Sequence, residues 1–383
     1  LFGFVALATD VGIILREKRM AQTAADGAAV AGASELVFGG ATVSSAAKAA
    51  AALNGFSHGT NGVTVVVNGP TGPSTGGPAN GPHKGDPTYV EVIVSKVQPT
   101  MFMNFFGVLN MTPTARAVAG YGQTNGCIYT LGTSGTDIKL QGNATILVTT
   151  CGVTVNSNDP TKAIAVTGNA ALLAAQSIGV VGGIDAKSGT LSPTPITGIV
   201  PVSDPLSYLP VPTVPATCSP DPNFKGNGLQ TLGPGCYNGL TLGANANVNL
   251  KPGVYIINGT FSLAANSNLS GTGVTFDLFG ATAMSGTANL NVSAPNSPGQ
   301  YDGVLFYQPA TNANDLSLIG NPSSVIKGII YAPSATVTLQ GSAGSSIYAD
   351  FVVNKLTLIG DASIQDYDSI DPTSVLRTIR LVE

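Results

Sequence analysis

Tryptophan is absent from the 383 residues, histidine occurs twice, and Lys, Arg, Asp and Glu together make only 9% of the chain. A typical soluble domain carries about 25% charge. Sixteen basic residues spread over this length leave no patch to displace phosphate counterions, which excludes nucleic acid as a partner. A Walker loop and an H-E-x-x-H pair are both missing, so no cofactor is expected. One G-x-S-x-G match, Gly72 to Gly76, falls inside a Gly/Pro loop and is read as chance among 48 glycines. Those glycines follow no three-residue period, which excludes collagen. Disorder is excluded by 43% hydrophobic residues and a net charge of −4.

What the chain has instead begins with an apolar run. Leu1 to Thr9 carries no charge, and Asp10 is followed by Val11-Gly12-Ile13-Ile14-Leu15. At ~1.5 Å per residue this run falls short of the ~20 residues that cross a bilayer, unless more lie upstream. A first residue other than Met is read as processing or as a missing upstream segment. Leu1, Phe2, Phe4, Val5, Leu7, Val11, Ile13, Ile14 and Leu15 are the candidate assembly residues, or a contact with membrane before assembly. They are apolar nearly all round the helix, whereas a surface helix shows one stripe; the alternative is a buried core helix. A charged collar, Arg16-Glu17-Lys18-Arg19, precedes an Ala/Gly-rich stretch, Ala21 to Ala33, whose small residues allow close helix approach. The pattern predicts a helix over about 2–38, broken at Gly39-Gly40, and a second over 43–53, together an N-terminal region 1–53.

Residues 54–125 read as a small α+β module. Val63 to Asn68, Tyr89 to Val97 and Thr112 to Tyr121 are predicted strands, and 69–87 is a Gly/Pro loop. Met101 to Val108 places Phe102, Phe105 and Phe106 at helical spacing and predicts a short helix. His58 and His83 lie in loops and are expected at the surface.

After Gly126 the pattern becomes short apolar alternations punctuated by Gly-Asn or Gly-Ser. Leu140-Gln141-Gly142-Asn143, Val166-Thr167-Gly168-Asn169 and Leu242-Gly243-Ala244-Asn245 resemble one another. So do Leu318-Ile319-Gly320-Asn321, Leu339-Gln340-Gly341-Ser342 and Leu358-Ile359-Gly360-Asp361, whose glycines are 21 and 19 residues apart. Pro234-Gly235-Cys236-Tyr237 returns as Pro252-Gly253-Val254-Tyr255. Repeats near twenty residues, with Gly and Asn at corners, predict a parallel, right-handed β-helix over 126–371, about ten to twelve coils and roughly 50 Å long at ~4.8 Å per coil. A β-sandwich is the competing fold. Nine prolines from Pro193 to Pro222 mark a surface excursion within 189–222, since proline cannot donate to a ladder. Residues 372–383 are left as a tail.

Cys127, Cys151, Cys218 and Cys236 form no C-x-x-C pair and have no histidine among them, which argues against zinc. An even count in a chain this poor in charge points to an oxidising setting and two disulfides. Of three connectivities, the local one, Cys127 with Cys151 and Cys218 with Cys236, is expected; buried free thiols are the alternative.

Many β-helices cleave acidic polysaccharides, but no arginine lies between Arg116 and Arg377, no glutamate between Glu91 and Glu383, and no histidine follows His83. Catalysis is therefore not expected. Asp366, Asp368 and Asp371 are the densest acidic cluster, a weak calcium candidate against the simpler reading of a solvated turn. Asn110, Asn143, Asn258, Asn268 and Asn291 begin N-x-S/T sequons, or simply build corners.

The string Asp10-Val11-Gly12, then Arg16-Glu17-Lys18-Arg19-Met20-Ala21-Gln22-Thr23-Ala24-Ala25-Asp26-Gly27-Ala28-Ala29-Val30-Ala31-Gly32-Ala33, resembles the start of TadE/TadG-like proteins of tight-adherence pilus systems. Thr114 to Ala119 is similar to the family's next part, and Asp204-Pro205-Leu206, Leu209-Pro210, Cys218 and the two Pro-Gly-x-Tyr coils resemble the solenoid that some members carry. The resemblance implies a pilin-like module, surface export and pilus or adhesion biology without enzymatic activity. The expected function is a self-assembling structural subunit of an extracellular filament, with copies of itself, other pilus components or surface glycans as partners. A membrane-anchored minor pilin or adhesin, and a polysaccharide-active enzyme, are the alternatives.

Overall fold

The computed structural model describes residues 2–37, 42–72, 75–123, 126–296, 301–321, 323–341, 346–366 and 377–382, without the side chains of 2–7, 71–72, 75, 121–123, 320, 346 and 377–380. The chain forms two compact units, residues 1–123 with 377–383, and residues 124–376.

In the first unit, helix α1 (Phe2–Val37) and helix α2 (Val43–Leu53) pack on an antiparallel sheet. The sheet runs Val63–Asn68, Tyr89–Lys96, Thr114–Gln123, Arg377–Leu381. Ala21, Ala24, Ala25, Ala28, Ala29 and Ala33 recur at helical spacing and are buried against Ala47 and Ala51 of α2 and Val90, Val92, Ala115, Ala117 and Ala119 of the sheet. A Cβ at Gly32 would stand 3.1 Å from Val90 Cγ1, so the small residues bring helix and sheet together within one unit. Residues 1–53 and 54–125 consequently share one core. Within the expected tail 372–383, Arg377–Leu381 supplies the fourth strand, in keeping with its Thr-Ile-Arg-Leu alternation.

The second unit is a parallel β-helix of about eleven turns; the strands of its described residues pair in parallel, which removes the β-sandwich. One face carries an inward column of Tyr255, Phe276, Phe306, Ile330, Phe351, Ile128, Val153 and Ile178, each in register with the next. Phe276 stacks on Phe306 at 5.2 Å between centroids, within the range of favourable aromatic pairs. Another face stacks Leu318, Leu339, Leu358, Leu140 and Val166. Glycines of successive corners approach so closely that a Cβ at Gly280 would lie 2.2 Å from the Gly259 carbonyl oxygen.

The order of those columns departs from chain order. Gly126–Thr130 pairs with Ser346–Gly360 on one side and with Thr145–Val155 on the other. The chain thus enters the solenoid in its interior and winds outward to Ile196–Thr197 at one end. It resumes at the opposite end, where Ser219 bridges to Tyr237, and winds back until 346–365 seats against the first coil. The Pro-rich excursion must therefore run the length of the solenoid. Its twenty residues, 198–217, reach up to ~66 Å extended, enough for eleven rungs at ~4.8 Å.

It does so as a strap fixed to the outer side of the aromatic face. The Asn156 amide donates to the Val202 carbonyl at 2.7 Å and accepts from its N–H at 2.9 Å. Tyr331 donates to Asp204 at 2.8 Å. Leu206 and Leu209 are buried with Tyr129, Val304, Tyr307, Ile329, Tyr331 and Val352. Cys127–Cys151 joins neighbouring rungs beside the point where the chain enters, and Cys218–Cys236 joins the outermost two at the far end, the expected local pairing.

Burial raises the carboxyls of Asp137 and Asp277 to about 7, and burial followed by the neighbouring Asp366 raises Asp350 to about 8. Neither oxygen of Asp277 has a hydrogen-bond partner. A carboxyl whose folded pKa lies above its unfolded value adds stability that is complete below about pH 4 and is lost as pH rises through the folded value. The melting temperature of the second unit is expected to fall between pH 5 and pH 8. Asp277→Asn should flatten that fall, removing up to ~1.4 kcal/mol per pH unit, as calorimetry over this range will show.

Candidate assembly surface

A carboxylate buried within an apolar stretch of helix must be satisfied or it costs much of the stability gained by burial. Asp10, 2% exposed, accepts the N–H groups of Met101, Phe102 and Met103 at 3.0, 2.8 and 2.7 Å. These open the 3-10 turn Met103–Phe106, so Asp10 caps a turn more than ninety residues away. The Met103 N–H above all, against the cost of burial, together with those of Met101 and Phe102, holds this carboxyl below the usual carboxylate range.

Two further clamps follow along α1. Lys96 bridges to Glu17 at 3.1 Å, and the Gln22 amide donates to Asp26 at 2.7 Å and to the Arg116 carbonyl at 3.0 Å. Arg116 pairs with the buried Glu91, which also accepts from Asn68 and from the Ala79 N–H. Burial opposes ionisation of Glu91, but the bonds from Asn68, Ala79 and Arg116 outweigh it and its carboxyl is held low.

The helix that these clamps fix is unevenly covered. Ala21 to Ala33 meets its own sheet, while Val11 and Leu15 remain 43% and 52% exposed, with Ile13 and Ile14 half-buried. Leu1 and the side chains of Phe2, Phe4, Val5 and Leu7, expected to share the assembly role, lie outside the described residues. Arg16, Lys18 and Arg19 are exposed. The loop 101–109 presents Met101, Phe105, Phe106 and Leu109 to solvent, and its phenylalanines, expected to be spaced on a helix, stand on a single turn that buries none of them.

Residues 1–35 match the family model described as "Putative Flp pilus-assembly TadE/G-like", and residues 21–119 match the one described as "Putative Tad-like Flp pilus-assembly". The first unit carries Tad-like pilus-assembly segments. The string that makes it Tad-like is also the one that clamps α1, through Asp10, Glu17 and Gln22, to the loop and the sheet. Comparison with curated proteins finds no match. Among solved structures, the crystal structure of the competence-associated pilin ComZ from Thermus thermophilus is similar at 15% identity over 85% of this chain and 88% of that one, with a TM-score of 0.21. At that distance it adds nothing to the argument.

Other candidate positions are more ordinary. Asp366 lies beside the Cys127–Cys151 disulfide, whose sulfurs are already bonded to each other. Its expected companions Asp368 and Asp371 fall outside the described residues. His83 stacks on Tyr89 at 3.8 Å and His58 accepts from the Val65 N–H. Among the described residues no helix is long and apolar enough to cross a membrane.

Asp10→Ala removes all three acceptor contacts from the turn. Amide exchange at Met101 to Met103 is expected to accelerate by about tenfold or more, while the sheet strands keep their protection, as residue-resolved hydrogen exchange will show.

Proposed function

We propose that this chain is a structural subunit of an extracellular pilus-like filament, joined through the start of α1 and displaying the β-helix on the outside. The observation that carries this reading is the contrast along one helix: its Ala stripe is packed inside its own unit, while Val11 and Leu15 ahead of it are exposed. Each large apolar side chain fully buried between subunits contributes about 1.5–3 kcal/mol, so a few of them suffice for a stable contact. The Tad-like segments and the two disulfides support a pilus role at the cell surface. Copies of the chain are the proposed partners, with other pilus components beside them.

A membrane-held minor pilin or adhesin is the second reading, favoured by the exposed cations Arg16, Lys18 and Arg19 directly after the apolar run. No catalytic role is proposed for the β-helix.

Ile13→Lys places a charge where neighbouring helices would meet. Electron microscopy is expected to show no fibres from this variant, with an unchanged β-rich circular dichroism spectrum. Fibres of normal length and number would count against the reading.

A further inference from the structure

We propose that the loop 101–109, held to the start of α1 by Asp10, is a docking tip that inserts its phenylalanines into an anionic phospholipid surface before the subunit is assembled. This goes beyond filament formation, which concerns contacts between copies.

Phe105 and Phe106 are 87% and 86% exposed, with Met101 and Leu109 beside them in the chain, and Val11 and Leu15 exposed on the helix that bears Asp10. A soluble monomer rarely leaves so many large apolar side chains on one short loop uncovered. The loop is not loosely held: a buried carboxylate accepts three consecutive N–H groups at its base, and the Thr100 N–H donates to the Leu109 carbonyl at 3.1 Å. Exposure is therefore imposed on these side chains by a built contact.

Charge selects the occupant. Arg16, Lys18 and Arg19 are exposed, and the one acid among them, Glu17, is occupied by Lys96. They follow Asp10 by six to nine residues, or ~9–14 Å along the helix at ~1.5 Å each. Apolar groups of interfacial elements sit ~5–10 Å into the headgroup and acyl boundary, so the three cations reach the phosphates when the phenylalanines are inserted.

The absence of tryptophan supplies the test, because Phe105→Trp gives the full chain a single tryptophan, which is excited selectively at wavelengths where the 11 tyrosines do not absorb. With phosphatidylglycerol–phosphatidylcholine vesicles its emission is expected to shift to the blue and to be quenched by lipids brominated on the acyl chain. The pair Phe105→Ser and Phe106→Ser, both at exposed positions, is expected to lower the vesicle partition coefficient by about tenfold or more. Unchanged emission with vesicles would overturn the proposal, as would a blue shift that grows with protein concentration without lipid, or a serine variant that binds like the wild type. Fibre formation is scored without lipid, so its failure and the failure of this proposal are separate results.

Discussion

The pairing of residues 126–142 on both edges is the contact from which the rest of the second unit follows. A parallel rung presents unpaired N–H and C=O groups along each side until another strand covers it. Here the first coil is covered by 152–166 on one side and by 350–360 on the other, so the chain enters and leaves between adjacent rungs. Two free ends then arise far apart, at 196–197 and 219, and a connection has to join them. Proline suits that connection, since it donates to no ladder and leaves the strap free to bind through side chains. Leaving the solenoid where it was entered also lets Arg377–Leu381 complete the sheet of the first unit beside Thr114–Gln123.

Much of this was legible in the residues, and the part that was not has a physical cause. The Leu-x-Gly motifs at 320, 341 and 360 mark one corner of consecutive rungs, and the same corner continues at Gly142, where Asn143 donates to Asp361 at 2.8 Å. Likeness among repeats revealed the solenoid and its period. It could not reveal that the rung after 360 is 142, because a stacking rung is identified by its contact and not by its place in the chain. Asp10 was equally opaque: its partners lie more than ninety residues away and are backbone groups, which leave no trace in side-chain identity. The Ala stripe was recognised as a close-packing surface, but composition does not say whether the neighbour is a second copy or, as here, the chain's own helix and sheet.

These constraints separate two kinds of surface. The solenoid buries its apolar columns inward, covers its aromatic face with the strap, and ties rungs with two disulfides. The first unit finishes its own core with alanine and valine, and leaves Val11 and Leu15 of α1 and the apolar side chains of the loop 101–109 exposed. The proposed filament contact rests on that contrast, in a first unit that carries Tad-like segments.

Hydrogen exchange with mass spectrometry tests the interior position of the first coil most directly. Segments 126–142 and 350–360 are expected to exchange together and among the slowest in the second unit, with 190–197 and 229–232 faster at the two ends. A solenoid wound in chain order would expose 126–142 as a terminal rung. Rapid exchange there, with slow exchange at 190–197, would contradict the account.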